Sequence, residues 1–162
     1  MQKPGSEPLV DVVSSIEAPA AAGEKAGGRE RSPDRVGVAF RGGRTAYLDA
    51  RLPRSAVWAD VMASMREAGR PVYVEIDPRT ELISELLVPA RMRVVSIEKS
   101  SEEEGLEVHL APSQARHLLP RSHPRFDALR RALEEARKGG RAVLVTDGPD
   151  GHEIVDVRPA EA

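Results

Sequence analysis

The sequence predicts an α+β protein: two tandem ββαββ modules forming an antiparallel sheet or a partly closed barrel with two helices, preceded by a disordered N-terminal tail. Three observations point there. Short apolar runs bounded by Gly, Pro and Asp recur from residue 36 to 159, two stretches of helical periodicity interrupt them at equivalent places, and short motifs return in both halves. Leu52-Pro-Arg-Ser55 returns as Leu119-Pro-Arg-Ser122, Gly69-Arg70 as Gly140-Arg141, and Val72-Tyr-Val74 as Val143-Leu-Val145.

Residues 1–35 carry Pro4, Gly5, Pro8, Gly23, Gly27, Gly28 and Pro33, with too little apolar surface to fold alone, and read as a flexible tail. Within it Leu9, Val12, Val13 and Ile16 fall at i, i+3, i+4 and i+7. That spacing predicts a short helix over 8–17, marginal in water and formed on a partner.

The first module spans 36–90. Val36–Phe40 and Thr45–Asp49 read as strands joined at Gly42-Gly43, where positive φ is easily adopted. Ser55 is the expected N-cap of a helix reaching Ala68, with Val57, Trp58, Val61, Met62 and Met65 as its stripe and Gly69 as its stop. Val72–Ile76, a turn at Asp77–Thr80 and Glu81–Val88 make a second hairpin.

The second module spans 91–162. Met92–Ile97 and Leu106–Leu110 flank an acidic tip at Glu102, Glu103 and Glu104. A basic loop over 111–121 leads to a helix capped near Ser122 or His123, with Phe126, Leu129 and Leu133 facing the core and Gly139-Gly140 ending it. Arg141–Thr146 and Glu153–Val157 close the set around the turn Asp147–Gly151.

Composition excludes several classes. Aromatic residues are 3% of 162, so base stacking on single-stranded nucleic acid has little to work with, and 24 basic against 26 acidic residues leave a charge of −2 and no global field. Without cysteine there is no disulfide, thiol nucleophile or thiolate metal site. No apolar run has membrane-spanning length and the start lacks a secretory signal pattern, so the expected location is the cytoplasm, with no membrane partner.

Three groups of residues are candidates for carrying chemistry. Arg116, Arg121, Arg125, Arg130 and Arg131 form a basic loop and helix that reads either as a phosphate-binding face or as a solvated helix surface with pairs such as Arg130 with Glu134. His117 and His123 flank Pro120 at a spacing that fits no helical metal pair. Asp147-Gly-Pro-Asp-Gly-His-Glu153 faintly resembles a calcium loop but is explained by a tight turn. The sequence therefore predicts no metal, no cofactor and no catalytic residues, since neither a nucleophile elbow nor a phosphate loop is present.

The functional expectation is a non-catalytic adaptor or scaffold. It would bind a protein partner through Leu9, Val12, Val13 and Ile16, or through the groove between the repeats. The alternative is a nucleic-acid-binding regulator using the five arginines. The acidic tip opposed to the basic helix of another copy would also allow a homo-oligomer.

Overall fold

The structure is a computed structural model that describes residues 5–17 and 34–160, with the backbone of Lys25–Ala26 and Arg29–Glu30. It is α+β, with two helices and mostly antiparallel sheets that do not close into a barrel. The chain divides into two compact units, Gln2–Val88 and Pro89–Ala162, each with its own sheets and core.

In the first unit β1 (Glu7–Asp11) and β2 (Val13–Ile16) are one bent strand. This corrects the helix expected over 8–17. β1 pairs antiparallel with β7 (Val72–Ile76), Leu9 opposite Val74, and β2 pairs with β5 (Arg35–Phe40), Val13 opposite Phe40. A helix of this length returns few hydrogen bonds, whereas β7 and β5 each offer a strand edge to one half of the segment, and Val10, Val12, Val13 and Ile16 are β-branched. Val13 is fully buried, and Leu9 and Ile16 pack on the same core. The stripe expected to meet a partner is thus largely used inside its own unit.

At the bend the Asp11 carboxylate accepts N–H bonds from Val12 and Gly42, both at 2.8 Å. A Cβ on Gly42 would lie 2.7 Å from that carboxylate, so a side chain there would push Asp11 away from the Gly42 N–H. The remainder of the expected tail, at 1–4, 18–24, 27–28 and 31–33, lies outside the described residues. Between β2 and β5 the backbone of β3 (Lys25–Ala26) pairs with that of β4 (Arg29–Glu30).

β5 continues into β6 (Thr45–Asp49), then α1 (Pro53–Glu67), β7 and β8 (Ile83–Leu87). Leu52 occupies the N-cap of α1, one turn earlier than expected, and Ser55 is buried with its Oγ donating to the Asp49 carbonyl at 2.6 Å. Met62 reaches the core centre, while Val57, expected on the apolar stripe, is 61% exposed.

The second unit holds β9 (Ala90–Lys99), β10 (Gly105–Ala111), β11 (Arg116–Pro120), α2 (Phe126–Gly139), β12 (Ala142–Asp147) and β13 (Ile154–Pro159), in sheet order β11-β10-β9-β12-β13. β9 serves β12 with its first residues and β10 with the rest. The loop expected over 111–121 therefore contains a strand. Its buried positions, His117 and Leu119, alternate with Arg116, Leu118 and Pro120, and a histidine in the interior hides the period-2 signal. α2 begins at Phe126, and Gly140 closes it in the left-handed conformation at φ 61°, as the Gly-Gly pair predicts.

Both units place a long strand between two hairpins and a helix between the hairpins. Matching hydrogen bonds recur at one constant interval along the chain. Leu52 N–H donates to the Asp49 carbonyl as His123 N–H does to that of Pro120; Tyr47 N–H donates to Glu81 as Leu118 N–H does to His152. By this register Leu52-Pro-Arg-Ser55 stands opposite His123-Pro-Arg-Phe126, not opposite Leu119-Pro-Arg-Ser122, whose first two residues belong to β11. The recurrent tetrapeptide is thus not a structural equivalence.

Deleting residues 1–16 therefore removes two strands rather than a tail. We expect the first unit to lose its cooperative unfolding transition in urea and its slow amide exchange at Val38 and Val74, while the second unit keeps its own. An unchanged first transition would restore the tail.

Candidate functional site

The second unit carries most of the polar side chains that the sequence singles out, and its strand order divides them. Arg116 projects from β11, exposed, with its Nε 3.6 Å from Glu107 on the sheet surface. Arg130 lies on α2 between Asp127 at 3.9 Å and Glu134 at 4.0 Å, as the helix-surface reading expects. Arg121, Arg125 and Arg131 come together with His123, Pro124, Asp127 and Ala128 around a hollow of about 530 Å³ at the start of α2.

This hollow is built on a buried anchor. Asp156 on β13 is fully buried and accepts from Arg125 Nη2 at 2.7 Å and from Arg158 Nε at 2.9 Å. The pairing fixes the Arg125 guanidinium at the wall; its Nε–H has no acceptor among the described residues. His123 sits behind it. Its Nδ1 accepts the Arg125 N–H at 3.0 Å and its Nε2–H donates to the Val155 carbonyl at 2.9 Å. Both bonds require the neutral Nε2–H tautomer. Burial holds the His123 imidazole below its ordinary range, the Val155 carbonyl opposes this, Arg125 adds to it, and Asp156 and Glu153 pull the other way.

No side chain caps the first turn of α2, so its leading amides keep their positive partial charge, offset in part by Asp127. Next to the hollow, and sharing Arg121 and Phe126 with it, lies a second depression lined by Lys99 and the acidic tip Glu102, Glu103 and Glu104. Positive and negative rims are thus immediate neighbours.

The two histidines paired by sequence separate. His123 turns to Val155, while His117, 1% exposed on β11, meets Asp147 at the end of β12 and His152 in the turn that follows. His117 Nδ1 is 3.1 Å from Asp147 Oδ2, His152 Nδ1 is 3.6 Å from the same oxygen, and His117 Nε2 is 2.9 Å from Ser113 Oγ. Nothing in the sequence singles out Ser113, and the Asp147–Glu153 segment that holds Asp147 and His152 reads there as a tight turn. A parallel bridge between Leu118 and Glu153 brings these segments together. On the sheet surface Glu98, Glu107 and His109 form a second, more exposed group, with His109 Nε2 3.1 Å from Glu107.

Compared with known proteins, the chain matches no family model, no curated protein and no solved structure.

Two outcomes follow from the anchor. Asp156→Asn leaves two guanidiniums without their carboxylate and should cost about 2 kcal/mol in urea unfolding, below the roughly 3–5 kcal/mol of a fully buried pair because both arginines reach water. His123 binds protons less readily folded than unfolded, so its contribution is present above pH 6.5. It is lost as pH falls from there through the lowered folded value. His123→Gln should flatten that decline in a pH series of melting temperatures; an identical decline in the variant would exclude His123 as its source.

Proposed function

We propose that this chain is a binding protein whose second unit takes a small phosphorylated ligand in the hollow at the start of α2. The observation that carries this reading is the convergence of Arg121, Arg125 and Arg131 on an uncapped helix N-terminus. Arg125 is held in place by Asp156, while Arg121 and Arg131 stand exposed beside it. Arginine forks and helix amides both match phosphate oxygens.

The acidic tip selects the size of the ligand. A nucleic-acid backbone tracking past Arg121 would meet Glu102, Glu103 and Glu104 next to it, and like charges within a Debye length of about 8 Å repel. A phosphate monoester or diphosphate fits the basic hollow alone. Arg116 and Arg130 stay outside this reading because each faces its own carboxylate. An adaptor acting through Leu9, Val13 and Ile16 loses support, since these side chains belong to a core. No helix among the described residues is long and apolar enough to cross a membrane.

We also read the two units as descendants of one module. Support comes from their shared element order and recurring hydrogen bonds, no longer from the recurrent tetrapeptide.

Pyrophosphate and a single-stranded oligonucleotide are the discriminating probes. Pyrophosphate should shift the amide signals of Asp127 and Ala128 in a nitrogen–proton spectrum, with affinity falling between about 50 and 200 mM salt. Arg121→Glu with Arg131→Glu should weaken it tenfold or more. Unperturbed Asp127 and Ala128 signals would remove the proposal, and tight oligonucleotide binding sensitive to the same substitutions would replace it with the nucleic-acid reading.

A further inference from the structure

The buried group on β11 points to a ligand of a different kind from the phosphate hollow. We infer that His117, Asp147 and His152 form a binding site for a divalent first-row transition metal of the zinc type. One donor atom from each of the three lies within 4.8 Å of the other two. Bond lengths of about 2.0–2.2 Å at tetrahedral angles place neighbouring donors roughly 3.3 Å apart. The observed separations from Asp147 Oδ2, 3.1 Å to His117 Nδ1 and 3.6 Å to His152 Nδ1, fall on either side of that spacing. The two imidazoles are not stacked, their planes meeting at 67° with centroids 5.1 Å apart, and both Nδ1 atoms lie beside one carboxylate.

The surroundings hold the ligands in place without a metal. Ser113 Oγ engages His117 Nε2 at 2.9 Å, and Ala115 N–H donates to the same hydroxyl at 3.1 Å. This is the outer-shell contact that orients a metal-ligating histidine and leaves its other nitrogen facing inward. Leu118 N–H to the His152 carbonyl at 2.9 Å, and Gly148 N–H to the Glu153 carbonyl at 2.8 Å, fix the turn against β11 through backbone alone.

The fold does not require these residues. In the first unit Tyr47 N–H donates to Glu81 where Leu118 N–H donates to His152, and the ladder irregularity between Glu75 and Ile76 matches that between Thr146 and Asp147. The positions of His117 and Asp147 are there filled by Ala46 and Ile76, both buried hydrophobics. An imidazole and a carboxylate in a place that apolar residues fill equally well mark a site rather than a structural need. Three protein ligands leave a fourth tetrahedral position for water or a further donor, the arrangement of an open rather than a closed zinc site.

The test is calorimetric titration of the full chain with zinc chloride, repeated with cobalt as a spectroscopic probe. The expected result is one equivalent bound, a rise in the melting temperature of the second unit, and visible cobalt bands of four- or five-coordinate intensity. His152 is exposed, so His152→Ala leaves the fold intact and should abolish all three signals. Ser113→Ala should weaken binding about tenfold, in line with loss of an outer-shell partner. His109→Ala disables the surface group with Glu98 and Glu107 and should change nothing. Zinc binding that survives His152→Ala, or that vanishes with His109→Ala, overturns the assignment, as does a wild-type chain that binds no zinc at all.

Discussion

Everything in either unit depends on one strand having to satisfy two different neighbours. β9 gives its first residues to β12 and the rest to β10, and the bent pair β1–β2 does the same for β7 and β5. Each half of that strand pairs with one hairpin, so the register of both hairpins is tied to it. The outermost strands of the two hairpins then approach each other and touch at a single parallel bridge, Tyr47 with Leu82 or Leu118 with Glu153. The helix covers the remaining face, with Met62 and Leu133 filling the same place in the two cores. Leaving the strand unpaired would expose several backbone groups at once, each costing on the order of 1–3 kcal/mol when buried. That cost outweighs any helical preference at residues 8–17.

This constraint explains which parts of the fold were legible. Segments whose apolar residues alternate between clear turn signals, such as Thr45–Asp49 and Val72–Ile76, have the ends that the sequence predicts. Leu9, Val13 and Ile16 fit helical spacing by coincidence, because a ladder irregularity between Val13 and Ser15 shifts the inward set by one residue; local periodicity carries no information about the waiting edges of β5 and β7. β11 was hidden for the opposite reason. Its interior position is a histidine and its ends are Arg116 and Pro120, so a hydrophobic pattern registers only Leu118 and Leu119. The recurrent Leu-Pro-Arg-Ser misled by being compact, whereas the real correspondence, Pro53-Arg54 with Pro124-Arg125, is shorter and sits inside dissimilar neighbours.

The candidate sites were legible in the same uneven way. The arginines were visible as composition, but which of them converge is decided by the approach to α2, and of the five only Arg121, Arg125 and Arg131 line the hollow there. Asp156, the buried partner that positions Arg125, is distant in sequence and invisible to local inspection. His117, Asp147 and His152 were each seen, yet in the wrong groupings. Their meeting needs the order of strands, which a single chain's pattern does not contain.

Comparison of the two units separates what the fold needs from what has been added to it. Beside the start of α1 there is a hollow of about 340 Å³ lined mainly by Ile16, Val36, Leu52, Pro53, Ala56 and Ala59, where the second unit has arginines and a histidine. At the bridge between outer strands the first unit buries Ala46 and Ile76 where the second buries His117 beside Asp147. Arg54 stacks over Trp58 at 4.6 Å, while its counterpart Arg125 turns instead to a buried carboxylate. The polar arrangement of the second unit is the more expensive one, because buried imidazole, carboxylate and guanidinium groups must each be desolvated and then re-paired. Since apolar residues complete the fold at equivalent positions, stability alone does not account for the polar set. The physical case for function in this chain therefore rests on the second unit, at the two places where it carries costly polar groups and the first unit has apolar ones.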